Sequence, residues 1–173
     1  MRRTLSLLVA IVATFALATS VLGAANPKGG LPTATFSGST VTVTGGEFSG
    51  LGNVPAFAEL TVTGLAFYEC QNPSGHVAPG QNPVDAAGGT SGLQELPTLK
   101  NGRSTIQNLT ASVTAPSTPT AQQVGCGGQG SQSWTVVLTD LTATDAHLVI
   151  THNGVEIFCR NYTVDGPATG TPC

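Results

Sequence analysis

Phe57-Ala58-Glu59-Leu60-Thr61-Val62-Thr63-Gly64-Leu65-Ala66-Phe67-Tyr68-Glu69-Cys70 is long enough for one complete β-strand and carries the pattern of one. Ala58, Leu60 and Val62 fall on one face, with Glu59, Thr61 and Thr63 opposite, because successive side chains of a strand point to opposite sides. After Gly64 the apolar set moves to Leu65 and Phe67. That phase shift predicts a β-bulge at Gly64, where the absence of a side chain lets a strand kink.

The same period of two recurs outward from this stretch. Thr40-Val41-Thr42-Val43-Thr44 places Val41 and Val43 on one side before Gly45-Gly46 interrupts it. Arg103 to Thr114 aligns Leu109, Ala111 and Val113, and its lead-in Lys100-Asn101-Gly102 is a turn signal. Trp134 to Thr139 aligns Trp134, Val136 and Leu138. His147–His152 and Val155–Val164 flank Asn153-Gly154, the strongest hairpin signal in the chain, because both central residues of a type I′ turn need positive φ. No segment beyond the first 25 residues keeps an apolar period of 3.6. Six to nine short strands without a helix predict an all-β fold: a disulfide-stapled β-sandwich with Greek-key crossings, immunoglobulin-like only in a loose sense. Residues 26–173 are expected to form a single domain.

Residues 1–25 read as a secretory signal peptide. Arg2 and Arg3 precede an apolar run from Leu5 to Leu22, and small residues follow at Gly23, Ala24 and Ala25. The expected product is secreted, with no membrane span after cleavage and no lipid-tail attachment. It keeps four basic residues (Lys28, Lys100, Arg103 and Arg160) against nine acidic ones, a net charge of −5 with His neutral. That balance excludes nucleic acid and anionic membrane surfaces as partners, since both require basic patches.

Four cysteines, Cys70, Cys126, Cys159 and Cys173, in an exported chain predict disulfides, and three pairings are possible. Cys70 with Cys126 and Cys159 with Cys173 is the favoured scheme. Cys70 and Cys126 sit at element ends beside long loops, and Cys173 can fold back on the last hairpin strand. The thiols lack the close pairs of a zinc motif and the Cys-x-x-Cys of a redox enzyme, so no metal and no cofactor is expected.

Catalytic machinery is sparse. No Gly-x-Ser-x-Gly elbow is present. Asp140 and Asp145 read as solvated turn residues, Trp134 as a core residue, His152 as a solvated hairpin residue and His147 as an outer-face residue beside Thr. Asn108-Leu109-Thr110 and Asn161-Tyr162-Thr163 fit the N-glycosylation pattern. The best place for a site is the Pro-rich loop Gln71–Ala87 with Asn72, His76, Gln81, Asn82 and Asp85, since function concentrates on loops held by a rigid scaffold. A second loop, Thr114–Gly130, is stapled to the same end if Cys70 and Cys126 pair. Three functions fit: a non-enzymatic extracellular binding or structural module with an unidentified partner; a hydrolase using His76 with a carboxylate such as Asp85; and a self-associating coat protein using a Thr-rich edge strand.

The motifs Ser49-Gly50-Leu51-Gly52-Asn53, Cys70-Gln71-Asn72-Pro73 running on to Pro79-Gly80-Gln81-Asn82-Pro83, Cys126 shortly before Trp134-Thr135, and the ending from Leu141 to Val164 span most of the chain after the leader. In these the chain resembles a group of small secreted proteins from actinomycetes and similar bacteria, which carry no known activity. The resemblance implies a secreted all-β domain with a Cys70–Cys126 bridge and no catalytic residues to transfer. Cys159 and Cys173 are an addition to that pattern.

Overall fold

The computed structural model describes residues 26–99, 101–127 and 133–173. The expected signal peptide 1–25, Lys100 of the expected turn and residues 128–130 of the second expected loop lie outside the described residues. The strand expected at Phe57–Cys70 is β4 (Ala56–Gln71), and it organises one of two antiparallel sheets.

The first sheet is built from β1 (Asn26–Pro27), β2 (Thr33–Ser37), β3 (Thr40–Ser49), β9 (Thr98–Leu99) and β10 (Arg103–Ser112). Its order is β1-β3-β10-β9, with β2 also on β3. The second runs β13 (Thr171–Pro172), β12 (Val155–Thr163), β11 (Thr135–His152) and β4, followed by four short pieces on the far side of β4. Those pieces are β5 (Val77–Pro79), β6 (Val84–Asp85), β7 (Gly89–Thr90) and β8 (Gln94–Glu95), all antiparallel to β4. Together they are one strand interrupted three times. Only the first gap, residues 80–83, holds a proline, Pro83, which has no N–H for the ladder; the others fall at residues 86–88 and 91–93. Gln71–Ala87 is therefore not one open loop: Val77–Pro79 and Val84–Asp85 pair with β4, and the hydrogen-bonded turn at residues 72–76 and the segment 80–83 lie before and between them.

The expected pair Trp134–Thr139 and His147–His152 is likewise one continuous strand, β11. Its partner β4 keeps strict period two, with Ala56, Ala58, Leu60, Val62, Gly64, Ala66, Tyr68 and Cys70 all facing inward and buried. The predicted bulge in β4 at Gly64 is thus corrected. Gly64 opposes Ala143 while Thr63 opposes Asp145, so the extra residue, Thr144, belongs to β11. A second one-residue bulge places Thr139 between Leu138, opposite Tyr68, and Asp140, opposite Phe67. Leu65 is consequently half-buried and Phe67 is 38% exposed. Asp140 and Asp145 lie in this strand beside its bulges, not in turns. Their carboxylates accept hydrogen bonds from Thr142 and Thr144.

One core lies between the sheets. Val41, Val43 and Phe48 of β3 and Ile106, Leu109 and Ala111 of β10 meet Leu60 and Val62 of β4, Leu148 and Ile150 of β11, and Tyr162 of β12. The Asn153-Gly154 turn joins β11 to β12 with φ of 53° and 74°, as the type I′ reading requires. His152 is on the inward row of Ala146, Leu148 and Ile150, and its Nε2 is buried without a hydrogen-bond partner among the described residues. This corrects its reading as a solvated residue: proximity to a turn does not override the face set by the register. No helix among the described residues is long and apolar enough to cross a membrane.

Tyr162 is 1% exposed, and its hydroxyl donates to the Pro32 carbonyl oxygen at 3.3 Å. Burial pushes its pKa up to about 12, with Arg160 opposing the shift. A phenol held neutral by the fold stabilises fully below its unfolded pKa of about 10, and that contribution is lost as pH rises toward 12. After discounting for solvent screening, the loss is about 1–2 kcal/mol. Denaturant midpoints measured from pH 9 to 12 should therefore fall more steeply in the native protein than in Tyr162→Phe.

Candidate functional site

Both disulfides form as the favoured scheme expects: Cys70–Cys126 and Cys159–Cys173. They occupy different settings. Cys70 and Cys126 are 0% and 2% exposed and belong to a second small core with Ala66, Tyr68, Ala121 and Val124. Trp134, Val136 and Leu141 pack on it, so Trp134 is held by apolar neighbours as read from the sequence, whereas Leu138 of the same expected face is exposed.

The second core fixes one end of the molecule. Thr120 and Gln123 exchange hydrogen bonds, Gln123 N donating to Thr120 Oγ1 and Thr120 N to Gln123 Oε1. These close a turn that aims the Val124 carbonyl at the broken edge strand. The backbone N–H groups of Gln81 and Asn82 both donate to that oxygen, at 2.8 and 3.1 Å, and Gly80 N donates to Tyr68 O at 2.7 Å. The segments expected to meet through Cys70–Cys126 do meet, joined by backbone hydrogen bonds as well as sulfur.

The expected site residues lie along this edge as a row. Asn72 is used by the turn itself: its Oδ1 accepts from Ser74 N at 3.0 Å and His76 N at 2.9 Å. His76 is exposed at the tip, and its ring makes no hydrogen bond among the described residues. Gln81 and Asn82 are exposed midway. Asp85 pairs opposite Leu65, whereas Val77, next to His76, pairs opposite Gln71. Six residues of extended strand separate His76 from Asp85 by roughly 20 Å, beyond any hydrogen bond. The fold does not bring this pair together.

A second polar cluster was not found from sequence. On the outer face of the eight-stranded sheet, Thr61, Thr63, Asp145, His147, Asn161 and Thr163 line a shallow groove. His147 does face outward beside Thr61, its register partner, as read from the sequence. Its Nδ1 lies 2.7 Å from Asn161 Oδ1 and 3.8 Å from Cys173 Sγ. One atom each of His147, Cys159 and Cys173 lies within 4.8 Å of the others. The three residues are far apart in sequence and form no spacing motif. The Cys159–Cys173 bond joins two of them, and the pairing of β11 with β12 brings His147 alongside.

Comparison with protein families, with curated proteins and with solved structures gives no match.

Proposed function

We propose that this chain is an exported, non-enzymatic β-sandwich module that binds a neutral, hydrogen-bonding partner outside the cell through its stapled end. Residues 1–25 serve as the signal peptide. The two sheets act as sandwich layers around their common core, with β3-to-β4, β8-to-β9 and β10-to-β11 as the crossings between layers. Two oxidised cysteine pairs fit a non-reducing compartment.

The observation that carries the reading is the double donation of Gln81 and Asn82 to Val124 O beside Cys70–Cys126. It makes the broken edge strand and the Thr120–Cys126 turn one rigid unit, so the side chains it displays are pre-ordered for contact and lose little freedom on binding. Gln81 and Asn82 offer carboxamides, each with donors and an acceptor, which suit sugar hydroxyls or peptide groups better than ions. The roughly 20 Å between His76 and Asp85 favours binding over hydrolysis. The prolines and breaks along the β4 edge favour a monomer over edge-to-edge assembly.

The test is retention of the secreted protein on immobilised surface polysaccharides and on peptide arrays. The quadruple variant His76→Ala, Gln81→Ala, Asn82→Ala, Asp85→Ala should lose retention while keeping the native Tm, since all four side chains are exposed. Equal retention of the variant would move the contact surface elsewhere. Turnover of the retained ligand would make the protein an enzyme.

A further inference from the structure

We propose that His147, Cys159 and Cys173 form a latent three-ligand site for a thiophilic divalent cation of the Zn²⁺ type, opened when a dithiol reduces the Cys159–Cys173 bond. The two disulfides differ in access. Cys70 and Cys126 are sealed in the second core, while Cys159 is half-buried and Cys173 exposed on the outer sheet face. Thiol–disulfide exchange needs a thiolate to reach sulfur, so a dithiol reaches only the second bond without unfolding the protein.

The ligands stay gathered once that bond opens. Arg160 opposes Pro172 and Asn161 opposes Thr171 in the β12–β13 ladder. Arg160 Nη1 donates to Gly170 O at 3.0 Å, and Ala34 N to Ala168 O at 2.8 Å. These contacts hold the segment bearing Cys173 against β12 without help from sulfur. Zn–S and Zn–N bonds of about 2.3 and 2.0 Å place tetrahedral ligand atoms roughly 3.5 Å apart. His147 Nδ1 already lies 3.8 Å from Cys173 Sγ. Two thiolates and one imidazole make a borderline-soft donor set that favours Zn²⁺ over hard cations. The fourth position falls to water, with the Asn161 carboxamide beside it.

The steps balance. One dithiol thiolate attacks exposed Cys173 Sγ, and the Cys159 thiolate leaves. The second dithiol sulfur then attacks its partner in the mixed disulfide and expels the Cys173 thiolate. The reagent ends as its own disulfide, having passed two electrons and two protons to the cysteines. Metal binding releases those two protons to solvent; His147 binds as the tautomer protonated on Nε2, so its Nδ1 contact with Asn161 Oδ1 opens as the proton moves to Nε2 and the carboxamide swings aside. The doubly charged cation with two thiolates is neutral overall.

The experiment uses the secreted chain treated with dithiothreitol under native conditions and then freed of reagent without oxygen. Alkylation mapping should label Cys159 and Cys173 and leave Cys70–Cys126 closed. Co²⁺ should then bind at one equivalent with an intense sulfur-to-metal charge-transfer band and a tetrahedral d–d spectrum, and Zn²⁺ should displace it. The oxidised chain should show neither band. His147→Gln, which leaves the thiols intact, should weaken Co²⁺ binding by about tenfold or more, since even outer partners of a metal ligand are worth that much. Labelling of Cys70 before Cys159, a reduced chain without the charge-transfer band, or unchanged binding in His147→Gln would each overturn the proposal.

Discussion

Replacing Cys70 and Cys126 together by serine is expected to lower the unfolding free energy by about 4 kcal/mol, against about 3 kcal/mol for the Cys159–Cys173 pair. On the chain-entropy account the difference comes from the closed loops, 56 residues against 14 in sequence separation. Context widens the gap. Cys70 and Cys126 are themselves part of the small core with Tyr68 and Val124, so serine there also puts hydroxyl groups among apolar neighbours. Cys173 is exposed, and its serine substitute stays in water. Thermal melts of the two double variants give the ranking. Hydrogen exchange gives the location: in the Cys70→Ser, Cys126→Ser chain the amides of Gln81, Asn82 and Cys126 should lose protection first. Equal losses in the two variants would mean that the second core does not depend on its bridge.

The same contrast shows how far the fold can be read from residues alone. Wherever one strand decides its own face, the sequence suffices. Ala58, Leu60 and Val62 are buried as their alternation requires, as are Leu109, Ala111 and Val113. The Asn153-Gly154 turn follows from two positive φ angles that few other dipeptides accept. The pairing of the cysteines and the meeting of the two segments beside them were also legible, because a crosslink ties distant segments by itself.

What was not legible depends on the partner strand. The apolar shift at Leu65 and Phe67 marks a real irregularity, but a one-strand pattern cannot say which of two paired strands carries the extra residue. Here it is β11, at Thr144. The prolines of Gln71–Ala87 suggest a loop because each removes a ladder donor, yet an edge strand tolerates such gaps on its outer side. The Cys159–Cys173 part of the cluster follows from the cysteine pairing, but His147 joins it only through the register of β11 on β12, which nothing in the local sequence announces.

That dependence on the partner strand makes Gly64 the most demanding position in β4. A Cβ added there would stand 2.2 Å from the Thr142 carbonyl oxygen and 2.9 Å from Ala143 Cα, both backbone atoms that no rotamer change can move aside. The β11 bulge at Thr144 brings the two backbones this close, so alanine at position 64 must push β11 away or undo the bulge. Undoing it would shift the register of β11 by one residue and turn Ala146, Leu148 and Ile150 out of the core. Pushing β11 away is the smaller cost, and Gly64→Ala should therefore destabilise by about 3 kcal/mol, the upper range for an overpacked site. Thr61→Ala, on the exposed face of the same strand, should stay within about 0.5 kcal/mol of the native protein. Urea titration of both variants decides the matter. A Gly64→Ala protein as stable as the native one would mean that β4 and β11 do not cross as closely as the bulge requires.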